Sequence, residues 1–397
     1  MCGKLFIMRK LIKRFISTLY LIKQIRIVRV FKYADIIVYK NSHPAIMDKL
    51  LLDLKYSYID PMKLYVSVSI VIRMLRNIQF IRRGVLSWNH ASLLLSLKPK
   101  LVVTLIDNSS RYHYLDKLLH KHIRFIAIQN GSRFFNYIGA CKTIDSTLTQ
   151  QEQTACLYKT YHSEFFCFGE FEVDLYNKLS AKVDKFYPVG SLINSIHMEN
   201  NHKTCDSFDL CLVSSYGPDK NKNWIEFFNG FDILCNFLSL YLKDNPDIRF
   251  CISARSMVDG PFSNEERHWY SKYGLDKYLR YRKDSFSTHQ LVDSSTLTIT
   301  AMSTVFFDSL ARDNKVVLVN ANECKLLLLP TLMVPNPLLY IYKSTYRCFQ
   351  RKINDLISME DSIYNIKTSG YAKYMMNNSH AKPTYKVIYE HIKHAVQ

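Results

Sequence analysis

A rhythm that occurs twice along the chain constrains its fold most: short apolar runs, each bounded by turn residues and separated from the next by a helix-length stretch. In the first half the runs are ADIIVY (34–39), PKLVVTLID (99–107), IRFIAIQNG (123–131) and SEFFCFGE (163–170). Continuous apolar runs of this length suit parallel strands buried on both faces. VDKFYPVGSLINS (183–195) adds a short strand and a turn, and HMENNHKTCDS (197–207) then becomes polar. The alternation restarts with FDLCLVSSYG (208–217), a helix from Trp224 to Leu242, DIRFCISAR (247–255) and a segment from Leu275 to Arg282. STLTITAMS (295–303) and NKVVLVN (314–320) complete it. Strands alternating with helices twice over predict an α/β chain of two Rossmann-like domains whose parallel sheets face a central cleft. A length of 397 residues fits two such cores. The expected organisation is an N-terminal helix over 1–32, domains over 33–196 and 208–350 joined by a linker at 197–207, and C-terminal helices over 351–397.

Charge narrows the partners. Lys and Arg total 53 against 34 Asp and Glu, a formal +19, which calls for an anionic partner. Nine of the cations, from Lys4 to Lys32, precede the first acidic residue, Asp35. Between them Leu5, Met8, Leu11, Ile12, Phe15 and Leu19 recur at helical spacing, so residues 3–32 read as a basic amphipathic helix. Such a helix either lies on an anionic membrane or faces a core with its charges solvated. No window of about twenty uncharged apolar residues is present, so no membrane span is expected. The start lacks the apolar core and small-residue cleavage site of a signal peptide, so none is expected, and the expected location is the cytoplasm, peripheral at the inner face of the membrane. The ten cysteines follow no metal-ligand spacing, and no metal or cofactor is expected.

The most informative stretch is HQLVDSSTLTITAMSTVFFDSLARDNKVVLVN (289–320). LTIT reads as a strand, AMST as a sharp turn, and VFFDSLAR as a helix whose first turn presents Ser303, Thr304 and free backbone N–H groups. A helix start of this kind favours phosphate through its unpaired N–H groups and its dipole. Asp308, one turn on, is placed to accept hydrogen bonds from a ribose. The plainer alternative is that Ser303 or Thr304 only caps the helix. His289, just ahead of this segment, is a candidate base, whereas His113, His120 and His122 read as solvated or capping residues.

This order of strand, Ser-Thr, helix with an acidic residue and second strand resembles the nucleotide-binding segment of GT-B glycosyltransferases. It is similar to the bacterial enzymes of capsule and O-antigen (surface-carbohydrate) biosynthesis and, more distantly, to the CDP-glycerol glycerophosphotransferases. The resemblance implies that Ser303 and Thr304 contact donor phosphate and that Asp308 lies near the nucleotide. It also places Asp107, Asn108, Gln129, Asn130 and Arg133 at strand ends facing the acceptor, with Asp107 as candidate general base. Turn-forming roles for Asp107-Asn108 and Gln129-Asn130-Gly131 are the alternative. In the second half Ser214, Ser215 and Gly217 would admit a phosphate and Arg255 would neutralise it, unless Arg255 pairs with Asp259 at the surface. The His-Pro that follows this strand in the teichoic acid enzymes is absent.

The implied activity is metal-independent transfer of a sugar from a nucleotide-activated donor, CMP-linked donors among the candidates, to a lipid-linked surface glycan. A sugar-nucleotide epimerase of the same architecture is the alternative. Nucleic-acid binding finds no helix-turn-helix, zinc finger or RNA-recognition motif to support it.

Overall fold

The computed structural model describes residues 33–40, 43–131, 160–178, 181–200, 206–217, 225–301, 303–322, 336–342, 344–378 and 382–397. The basic N-terminal stretch and Arg133 lie outside the described residues. Two compact units emerge, one drawn from Met1–Ile128, Tyr161–Glu164 and Tyr389–Gln397, the other from Gln129–Thr160 and Phe165–Ile388.

The first unit is built on β1 (Ile36–Tyr39), β2 (Tyr56–Ile59), β3 (Leu101–Thr104) and β4 (Arg124–Ile128), with the short β5 (Tyr161–His162). The four longer strands run in the order β2-β1-β3-β4, every neighbouring pair parallel. Ile36, Ile37, Val38 and Tyr39 are all buried, as are Leu101, Val102, Val103 and Thr104, because helices cover both faces of a parallel sheet. β2 departs from the apolar-run signature. Its YSYI is only half-buried at the sheet edge, and the Tyr56 and Tyr58 hydroxyls donate to Asp48 Oδ1 at 2.9 and 2.5 Å.

Two buried polar side chains of this unit, Asn89 and His90, are matched. Asn89 receives the Tyr65 N–H at 2.9 Å and donates back to the Tyr65 carbonyl at 2.7 Å. His90 lies between the Tyr39 hydroxyl at 3.1 Å and the Lys63 carbonyl at 2.9 Å, which fixes an imidazole that accepts at Nδ1 and donates at Nε2. Burial lowers its pKa to about 4. The sequence reading of His113 as solvated or capping is corrected here: its ring is buried, Nδ1 faces the Tyr161 carbonyl at 3.2 Å, and it packs edge-on against His162.

The second unit holds β6 (Glu164–Cys167, from Phe165 on), the short β7 (Lys182–Val183), and β8 (Phe186–Pro188) parallel to β6. Its main sheet comprises β9 (Phe208–Val213), β10 (Phe250–Met257), β11 (Leu279–Arg282), β12 (Ser295–Thr300), β13 (Val316–Asn320) and β14 (Tyr340–Tyr342). The spatial order is β11-β10-β9-β12-β13-β14, all parallel. Counted along the chain this is 3-2-1-4-5-6, the Rossmann order, with its reversal between β9 and β12. The helix Ile225–Asp244 contributes Phe231, Leu234 and Leu238 to one continuous core. Phe231 stacks on Trp269 with ring centroids 5.2 Å apart. The chain is thus mixed α/β with parallel sheets of Rossmann type, as its sequence rhythm predicts.

Candidate active site

In an open parallel sheet the crevice beyond the carboxyl ends of the strands, where strand order reverses, is where ligands bind. In the second unit that point lies beyond β9 and β12. The loop Ser214–Gly217 leaves β9, Ser303 and Thr304 follow β12, and Arg255 sits near the end of β10, the other neighbour of β9. The three segments singled out in the C-terminal half therefore converge on three adjacent strand ends.

Their hydrogen bonds differ from the simplest expectation. The Ser214 hydroxyl donates to Glu266 Oε1 at 2.6 Å and accepts from the Tyr270 hydroxyl at 2.9 Å. Glu266, wholly buried on the helix Ser263–Ser271, also takes the Arg255 N–H at 3.0 Å and the Ser256 N–H at 2.9 Å. Ser214 is therefore an internal tie that shapes the loop. Arg255 extends into solvent and its Nη1 donates to the Tyr216 carbonyl at 2.9 Å rather than pairing with Asp259. An added Cβ on Gly217 would lie 3.4 Å from that Nη1 and 3.3 Å from Phe228, so the absence of a side chain lets the loop pass beneath the guanidinium. A cation and a small-residue loop stand together, the combination that accommodates an anion.

Beyond β12 the helix Val305–Leu310 starts differently from the reading of free N–H groups. Val305 N–H bonds Ser303 Oγ at 3.2 Å, Phe306 N–H the Ser303 carbonyl at 3.1 Å, and Phe307 N–H the Thr304 carbonyl at 3.0 Å. A tight first turn consumes its own donors, so Ser303 and Thr304, half-buried just after β12, stand there without a row of open amides.

Asp308 points inward. Its Oδ2 meets His289 Nε2 at 3.2 Å, with His289 6% and Asp308 3% exposed. Burial lowers the His289 pKa, against the raising effect of Asp308, so the imidazole is neutral and Nε2 donates. The His289 ring lies 5.1 Å from that of His197, whose Nε2 is 2.7 Å from Asp293 Oδ2. Arg312 donates to Asp293 at 2.8 Å, to Asn194 and to the Asp308 carbonyl at 3.1 Å. His197 belongs to the stretch read as polar linker, yet it is buried at the end of the helix Leu192–Asn200. No spacing signal announces this network, because its members come from segments about a hundred residues apart.

Gln129 is likewise engaged. Its Oε1 accepts the Phe168 N–H at 2.9 Å, while Nε2 donates to Glu172 Oε1 at 2.7 Å and to the Gly131 carbonyl at 3.0 Å. This latch sets the turn Gln129-Asn130-Gly131 against the β12 turn: a Cβ on Gly131 would lie 3.3 Å from Thr304 Oγ1. Asn130 is half-buried there.

In the first unit strand order reverses between β1 and β3, and the Thr104 hydroxyl ties the two ends by donating to the Tyr39 carbonyl at 2.8 Å. Asp107 follows β3 at that point but is fully buried, whereas Asn108 is exposed. A general base must come within hydrogen-bond reach of the proton it takes. In this conformation both carboxylate oxygens of Asp107 and Nδ1 of His289 are buried, and Nε2 of His289 is engaged by Asp308. Among the described residues no group of His, Cys, Asp and Glu has the arrangement of a metal site, and no helix is long and apolar enough to cross a membrane.

Comparison with known proteins bears on the fold. No protein-family profile and no curated protein sequence matches the chain. Solved structures do. The wall teichoic acid polymerase TagF superposes with a TM-score of 0.57 at 13% identity, over 92% of this chain and 89% of that one. A CDPG-soaked TagF variant gives 0.55 at 14%, covering 91% and 88%. A putative UDP-N-acetylglucosamine 2-epimerase from Listeria monocytogenes gives 0.53 at 10%, covering 92% and 98%, and the S. aureus MnaA–UDP co-structure 0.52 at 10%, covering 90% and 96%. At these identities the likeness is one of fold: the chain has the GT-B fold.

Proposed function

We propose that the chain is a GT-B transferase that moves a sugar, or a similar nucleotide-activated group, to a surface glycan, with the donor nucleotide held at the strand-order reversal of the second unit. The observation that carries this reading is the meeting, at the ends of β10, β9 and β12, of Arg255, the Ser214–Gly217 loop and Ser303-Thr304. In this reading Arg255 neutralises the leaving phosphate, Ser303 and Thr304 orient it, and Ser214 acts through Glu266 by holding the loop in shape. The His289–Asp308 pair is a rigid support beneath the β12 turn. Stabilising a leaving phosphate with cations and hydroxyls already in place needs no divalent ion. Likenesses to a teichoic acid polymerase soaked with CDPG and to a UDP-bound protein support a nucleotide-linked donor and leave cytidine and uridine both eligible. The acceptor we assign to the Asn108 strand end of the first unit, with Asp107 as base once a conformational change exposes it, and we place the enzyme at the cytoplasmic face of the membrane.

Epimerisation is the second reading, favoured by the likeness to a putative UDP-N-acetylglucosamine 2-epimerase. One assay separates them: purified protein incubated with CMP-, CDP-, UDP- and GDP-linked donors, with and without EDTA and glycan acceptor. Acceptor-dependent release of nucleotide that survives EDTA and drops at least tenfold in Arg255→Ala supports the transferase. Interconversion of UDP-sugars without acceptor supports the epimerase. Inertness of folded protein toward all donors rejects both.

A further inference from the structure

The helix Val68–Arg76 is turned inside out. Ser67 caps it by accepting the Ile70 N–H at 3.3 Å, and its buried side is narrow: Ile70 faces inward, and the Met74 carbonyl takes the Trp88 indole N–H at 2.9 Å. At 3.6 residues per turn Val68, Val71, Ile72 and Leu75 fall within about 100° of arc. All four are exposed, Val68 at 78% and Leu75 at 66%, and Ile78 continues the stripe. A soluble helix presents its polar side to water; this one presents its apolar side.

Charge identifies what covers it. Between Asp60 and Asp107 the sequence contains no Asp or Glu and seven Lys or Arg. Two of these, Arg73 and Arg76, lie on the helix itself, to one side of the apolar arc. An apolar stripe whose only charged neighbours on its helix are cations complements a surface that is oily within and negatively charged outside, whereas a polar protein partner would supply neither.

We infer that the Val68–Arg76 helix is an in-plane docking surface for an anionic lipid bilayer, with Val68, Val71, Ile72 and Leu75 entering the headgroup–acyl boundary and Arg73 and Arg76 contacting lipid phosphate. This surface lies in the first unit and is distinct from the basic stretch at 3–32. It stands whether or not the transferase reading holds.

The test is flotation of the full chain with phosphatidylcholine vesicles containing or lacking about 30% phosphatidylglycerol, for wild type, Ile72→Glu/Leu75→Glu and Arg73→Gln/Arg76→Gln. Wild type is expected to float with the anionic vesicles. The apolar variant should lose at least tenfold in partitioning, and the arginine variant roughly 25-fold at about 1 kcal/mol per cation. Both should keep the wild-type melting temperature, because the altered side chains are outside the core; should the glutamates unfold the chain, Ile72→Ser/Leu75→Ser reads the same effect. Failure of wild type to float, or undiminished flotation of folded variants, overturns the inference. So does a concentration-dependent dimer that the apolar variant abolishes in protein that never floats, since the stripe would then meet a second copy of the chain.

Discussion

His289 Nε2 and Asp308 Oδ2 lie 3.2 Å apart in the interior of the second unit, joining the helix Ser287–Asp293 to the helix Val305–Leu310 that follows the Ser303-Thr304 turn. A neutral imidazole donating to a buried carboxylate is a charge-assisted hydrogen bond, and removing one side leaves the other without compensation. Asp308→Ala should destabilise the protein by about 2–4 kcal/mol, whereas Asp308→Asn, which keeps an acceptor, should cost about 1 kcal/mol. Urea titrations of both variants check the order. Equal losses would mean that the pair is not the tie described.

Glu266 offers a sharper case. Its carboxylate is wholly buried and receives the Ser214 hydroxyl and the Arg255 and Ser256 N–H groups. Glu266→Ala would strand three donors and should cost about 3–5 kcal/mol, with Ser214→Ala costing about 1–2 kcal/mol. If the loop is donor-binding, Ser214→Ala should also weaken nucleotide binding without altering any direct contact. Denaturation and titration calorimetry on the same samples measure the two effects.

Acid should loosen the first unit. Burial lowers the pKa of His90 and of His113 to about 4 each. Both are neutral in the folded chain, and on unfolding they regain the ordinary value of 6.5. Below that value the unfolded state binds more protons, so stability is full above pH 6.5 and falls as pH drops toward 4. The expected loss by pH 5 is roughly 2 kcal/mol per histidine. Urea midpoints between pH 7.5 and 5 test this, and His113→Gln should flatten the slope.

What could be read from the sequence follows from burial. Strands such as IIVY, LVVT and VVLVN are covered on both faces, so their apolar runs announce them. Tyr56–Ile59 and Tyr340–Tyr342 escape notice because an edge strand that is half-exposed and a strand of three residues leave no such run. The residues at strand ends were legible as positions, since turn chemistry marks Ser214 to Gly217 and Ser303 to Thr304. Their bonding was not. Glu266 binds Ser214 across 52 residues and Asp293 binds His197 across 96, and pairings at such distances leave no periodicity. The free N–H groups expected at Val305 vanish into a tight turn whose geometry composition does not specify.

Whether a nucleotide binds at the end of β12 is measured by a thermal-shift titration with CMP, CDP, UDP and GDP. A ligand that binds only the folded state at a hundred times its Kd adds about 2.7 kcal/mol, which raises the midpoint by several degrees. One nucleotide is expected to produce this rise in wild type, and Ser303→Ala/Thr304→Ala to remove it relative to the variant's own unliganded midpoint. A folded protein that no nucleotide stabilises, or a shift that persists undiminished in the double variant, would contradict a nucleotide site there.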